Sequence, residues 1–179
     1  MVHLDSEPDR SYRTIEALEA LHAKGAHIWA MVSPRPFELR VDFEQSICFI
    51  NVPAWNELVQ APAGKKRALV EDAGWRERAR RDVDGQSSQM FPFHIPQQIR
   101  IIAVAKPELA NWVGKSLGDL VAARGGHISD VLADWAFEND FATAFVNPVA
   151  NSNPADVARL LKSRVTFMSG GDAGAHLQM

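Results

Sequence analysis

One cysteine, one tyrosine and no long apolar run set the first limits on this 179-residue chain. The lone cysteine, Cys48, cannot close an intramolecular disulfide, which excludes a disulfide scaffold and fits a reducing compartment. It lies in Ile47-Cys48-Phe49-Ile50, where a buried small side chain is expected rather than a nucleophile. No apolar stretch reaches the roughly 20 residues that span a bilayer. The opening MVHLDSEPDR has no apolar centre and carries acids, unlike a secretory signal. The expectation is a soluble, cytoplasmic protein with no membrane partner. A basic surplus is missing too: 19 Lys and Arg against 22 Asp and Glu leave −3, which gives no support to a nucleic-acid partner. The 11 glycines and 10 prolines are too scattered for a low-complexity chain. What is present is 46% hydrophobic residues, enough for the core of one domain.

The apolar spacing gives an α/β rhythm. Tyr12, Ile15, Leu18 and Leu21 recur at helical spacing over about 10–24, and Gly25 supplies a stop. Residues 26–32 read as a buried strand closed by Ser33-Pro34-Arg35-Pro36. From 53 to 85 the spacing predicts short helices broken by Pro62, Gly64 and Gly74, forming an insertion. Trp55 and Trp75 are expected to cover apolar surface beneath them. The cluster Arg76 to Arg81 is interleaved with acids and reads as a solvated helical face rather than a phosphate site. Strands are expected near 99–105, 142–146 and 164–169. Helices intervene near 116–124, capped by Ser116, near 129–139, and from Pro154 after Asn153. Mostly parallel neighbours follow from that alternation.

The last strand runs into Ser169-Gly170-Gly171-Asp172-Ala173-Gly174-Ala175-His176. In parallel α/β architectures, active sites lie beyond the C-terminal ends of strands. A carboxylate there can hold a metal or take a proton from metal-bound water, and it can equally cap a helix. Arg35 can bind a substrate carboxylate through its two-pronged guanidinium, or be a surface arginine held between prolines. His3 reads as a frayed terminal residue or as the remnant of a ligand-bearing strand. His22, His27, His94 and His127 read as structural.

Asp172-Ala173-Gly174-Ala175-His176 resembles the signature after the eighth strand of the amidohydrolase superfamily, and more narrowly the N-acyl-D-amino-acid deacylase branch, amidohydrolase family 3. The resemblance extends in order along the chain, through GAHIWAMVSPRPF at 25–37, Pro53-Ala54-Trp55, SLGDLVAARGGH at 116–127 and the Ser129-Asp130 step. It implies a metal-dependent hydrolase on a (β/α)₈ barrel, with zinc as cofactor and a small-molecule amide as substrate. It implies Asp172 as metal ligand and catalytic proton carrier; His176 in the same motif, and Arg35 by its own chemistry, are the expected substrate-binding residues.

The family's His-x-His pair does not occur in this sequence, and Ser33-Pro34-Arg35 stands where better-known members have a Tyr-Pro-Tyr turn. A whole barrel takes about 250 residues. The expectation is therefore one partial barrel domain over 1–179, lacking the N-terminal strands. The alternative is a complete, non-catalytic α/β binding or interaction module.

Overall fold

Helices that begin at proline or behind a side-chain cap account for much of this chain, as the computed structural model shows for residues 3–4, 7–44, 46–85 and 90–168. In chain order the elements are α1 (Pro8–Ala23), β1 (Ala30–Val32), β2 (Phe37–Asp42), α2 (Pro53–Gln60), α3 (Ala63–Glu71) and α4 (Ala73–Asp84). There follow β3 (Arg100–Ala103), α5 (Leu117–Arg124), α6 (Ile128–Glu138), β4 (Ala144–Ala150), α7 (Pro154–Leu161) and β5 (Thr166–Met168). The chain divides into two compact units, Met1–Glu38 with Pro148–Met179, and Leu39–Asn147.

In the first unit, β1 and β5 pair in parallel with Ala30 opposite Thr166, Met31 opposite Phe167 and Val32 opposite Met168. Ile15 from α1, Leu160 from α7, Val32 and Val165 form its core, with Tyr12 and Leu18 packed against them. Leu21 departs from the expected face and is exposed. Gly25, at φ +90°, turns the chain out of α1 in a conformation that disfavours a Cβ. The strand is shorter than expected: 26–29 lie outside it, and Ile28 and Trp29 are exposed. Asn153 caps α7 by accepting from the Ala155 N–H at 3.0 Å, which puts Pro154 in the first turn.

In the second unit Trp55, Trp75 and Trp135 are buried with Phe43, Phe49, Phe91 and Phe145. Trp55 stacks on Phe49 and meets Trp75 edge-on at 5.4 Å, while its Nε1 donates to Ser129 Oγ. The helices of 53–84 stand where the spacing puts them, but the breaks fall at Ala61–Pro62 and Asp72. Gly64 and Gly74 lie inside α3 and α4. Asp72 stops one helix and caps the next, accepting from the Trp75 N–H at 2.6 Å. Arg80 pairs with Asp130, Arg76 with Asp134 and Arg78 with Glu57, so the basic cluster is a paired solvated face. Cys48 is buried, and that burial pushes its thiol up, away from nucleophile behaviour.

The three-stranded sheet has the order β2-β4-β3. The strand β2 follows Pro36 directly and was not expected. A larger correction is direction: β3 pairs β4 antiparallel, with Arg100 opposite Val146 and Ile101 opposite Phe145. One crossover helix returns the chain for a parallel neighbour. Here two helices, α5 and α6, intervene, and the additional reversal brings β4 in the other way. The class is mixed α/β, the described strands form sheets of two and three, and no closed barrel forms among them. No helix among the described residues is long and apolar enough to cross a membrane.

Candidate functional site

The first unit gathers several polar groups around one buried histidine. His3 is fully buried, so the reading of it as a frayed residue is corrected. What holds it is backbone pairing rather than its ring: its N–H donates to Asn151 Oδ1 at 2.7 Å, and its carbonyl accepts from the Asn151 N–H at 2.8 Å. Asn151 sits just beyond β4 at φ +59°, a left-handed conformation that asparagine tolerates better than most residues.

The His3 ring lies 5.7 Å from that of Tyr12, centroid to centroid, and its Nε2 is 3.4 Å from Asp156 Oδ2. That approach is a close contact without hydrogen-bond alignment, so both ring nitrogens are buried with no hydrogen-bond partner among the described residues. The other oxygen of Asp156 accepts from the Tyr12 hydroxyl. That bond, with lesser help from desolvation, pushes the phenol above its ordinary pKa of 10.0. Arg159 caps the arrangement, its guanidinium 3.8 Å above the Tyr12 ring.

Chemically, this is an imidazole backed by a carboxylate, the arrangement by which proteins orient a metal-binding histidine. A buried imidazole with no acceptor or donor is costly unless something else engages it. The fit to a metal is nevertheless partial. Among the described residues no group of three or more His, Cys, Asp and Glu side chains is placed to hold an ion.

Of the residues singled out in the sequence, Arg35 lies exposed on the segment after β1. Its carbonyl and that of Ser33 accept from the side-chain amide of Asn151 at 3.1 and 3.3 Å. Asn151 thus connects the Arg35 segment to His3. Asp172 and His176 lie outside the described residues. The last described strand, β5, ends at Met168, in register with Val32 at the end of β1.

Elsewhere, His127 caps α6, its Nδ1 accepting from the Ser129 N–H, and its Nε2 is 3.1 Å from Asp84. His22 is half-buried against Trp29, while His27 and His94 are exposed. Sequence reasoning missed Asp156 and Asn151. Asp156 stands in the first turn of α7, where an acid ordinarily reads as a complement to the helix dipole. Nothing pointed to Asn151, because the expected strand of 142–146 stops short of it, whereas β4 runs on to Ala150. In comparisons with protein-family models, curated proteins and solved structures, none matches this chain.

Proposed function

We propose that this chain is part of a metal-dependent amidohydrolase whose reaction is hydrolysis of a non-peptide C–N amide bond. The observation that carries the reading is His3: fully buried, its Nε2 3.4 Å from Asp156 Oδ2, and with no aligned hydrogen bond to either ring nitrogen among the described residues. It supports a metal-ligand role near the segment that follows β1, to which Asn151 links it. The resemblance of Asp172-Ala173-Gly174-Ala175-His176 to the deacylase signature supplies the second ligand, Asp172.

In that reading His3 and Asp172 would hold the ion, which when bound would polarise the amide carbonyl and acidify a water. Asp172 would take a proton from the attacking water as its oxygen bonds to the carbonyl carbon, and would return it to the nitrogen as the C–N bond breaks. Arg35 binds a carboxylate of the substrate, and His176 contributes to substrate binding. Zinc suits a histidine and carboxylate donor set.

The test is a version extended upstream to include a His-x-His strand. It is expected to turn over N-acyl amino acids, and Asp172→Asn is expected to remove most turnover while the fold persists. Retained turnover in that variant excludes the role given to Asp172.

The second reading, a non-catalytic binding module, is favoured by one observation in the unit Leu39–Asn147. Its aromatic core is closed, and its charged face is paired within itself. The extended version would then show neither metal nor turnover.

A further inference from the structure

Asn151 uses every polar group of its side chain. Its Oδ1 accepts from the His3 N–H at 2.7 Å, and Nδ2 reaches two carbonyls, Ser33 at 3.3 Å and Arg35 at 3.1 Å. It is buried to 2% exposure and held at φ +59°. One side chain therefore ties together three stretches far apart in sequence: the His3 segment, the Ser33–Arg35 segment after β1, and the end of β4.

Backbone strain of this kind persists where its surroundings over-determine it. A glycine would satisfy the backbone here at no steric cost. Asparagine adds an acceptor aimed at one segment and a donor pair aimed at another.

We propose that Asn151 is a positioning residue, the joint that sets His3 and the Arg35 segment relative to each other. The inference rests on the amidohydrolase reading for its chemical meaning, since His3 is there the ligand and Arg35 the carboxylate binder. Asn151 acts through the two segments it holds. The pairing is asymmetric, because the acceptor serves His3 and the donors serve Ser33 and Arg35. Substitutions can therefore separate the two arms.

The experiment uses the isotope-labelled 179-residue chain and needs no turnover, so its failure is distinguishable from failure of the amidohydrolase reading. Asn151→Asp keeps an acceptor for His3 and loses both donors. It should preserve slow exchange of the His3 amide while the carbonyl carbon shifts of Ser33 and Arg35 move. Asn151→Gly keeps the left-handed backbone and loses both arms, so the carbonyl shifts move and the His3 amide exchanges roughly tenfold faster. The melting transition of the glycine variant should stay cooperative.

Unchanged His3 exchange and unchanged carbonyl shifts in Asn151→Gly would overturn the proposal. So would collapse of the whole spectrum in both variants, which would make Asn151 a general requirement of the fold. Identical behaviour of the two variants would also overturn it, because the two arms would then not be separable.

Discussion

Met31 and Phe167 lie opposite each other in the parallel register of β1 and β5, and each keeps about half of its surface open, 53% and 49%. Parallel strands in folded domains are normally covered on both faces. Here the other face meets the core of Ile15, Leu160 and Val165. Two large apolar side chains in register on the same face of a short sheet make a sticky surface. The chain is expected to self-associate as concentration rises. Replacing both residues with threonine, Met31→Thr with Phe167→Thr, should shift the sedimentation profile back toward single chains. Equal profiles for the two proteins would show that this surface does not drive association.

Trp55 gives the clearest stability test in the other unit. Its ring is fully buried against Phe49 and Trp75, and its Nε1 donates to Ser129 at 3.3 Å. Trp55→Ala removes that packing and leaves a cavity, at a cost of about 3–5 kcal/mol. Denaturant unfolding monitored by far-ultraviolet circular dichroism measures it. A loss below ~1 kcal/mol would mean the site collapses around the deletion.

The sequence shows the helices well because their signals are local. Ser116 reads as a cap and forms a full capping box with Asp119; Asn153 before Pro154 does the same work for α7. Trp55 and Trp75 read as cover for apolar surface and are buried. Strand direction was misread rather than hidden: two helices are expected between the strands that became β3 and β4, and that pair of helices, unlike a single crossover, reverses the pairing. The candidate site was legible only in part. His3 looks unremarkable until Asn151, far along the chain, pairs with its backbone, and Asp156 looks like an ordinary first-turn acid until Tyr12 and His3 are seen beside it.

The capping box also sets an acid limb of stability. The Ser116 backbone N–H, and then its hydroxyl, hold the Asp119 carboxyl below the usual carboxylate range. A folded pKa below the unfolded one, near 3.9, means this stabilisation is complete above that value. It is lost as pH falls through the folded pKa. Asp119→Ala should therefore melt earlier than the parent at pH near neutral, and the gap should close in acid. A gap that stays constant down to strong acid would show that the carboxylate charge plays no part.

Tyr12 gives the opposite limb. Its hydroxyl donates to Asp156, and that bond raises the phenol above 10.0. A raised folded pKa makes the contribution complete below the unfolded value and lost as pH rises through the folded one. Tyr12 is the only tyrosine, so the phenolate absorbance reports this group alone. It should titrate later in the folded chain than in denaturant. Tyr12→Phe should melt earlier near neutrality and lack that alkaline decline. Coincident titrations in folded and unfolded chains would contradict the hydrogen bond to Asp156.

The metal requirement can be tested on the chain as it stands. A catalytic zinc ordinarily takes three protein ligands and leaves a fourth position for water. The proposed function assigns two, His3 and Asp172, and no group of three candidate ligands occurs among the described residues. Two donors offset too little of the ion's desolvation to hold it tightly, even with Asp156 backing the imidazole at 3.4 Å. The 179-residue chain is therefore expected to carry no stoichiometric zinc after purification and to leave N-acyl amino acids intact. Adding zinc should produce weak binding that His3→Ala weakens further, because the carboxylate alone then remains. Elemental analysis, an amidase assay and a zinc titration decide the matter together. One tightly held zinc per chain, or turnover that Asp172→Asn abolishes, would show that these residues already make a complete site.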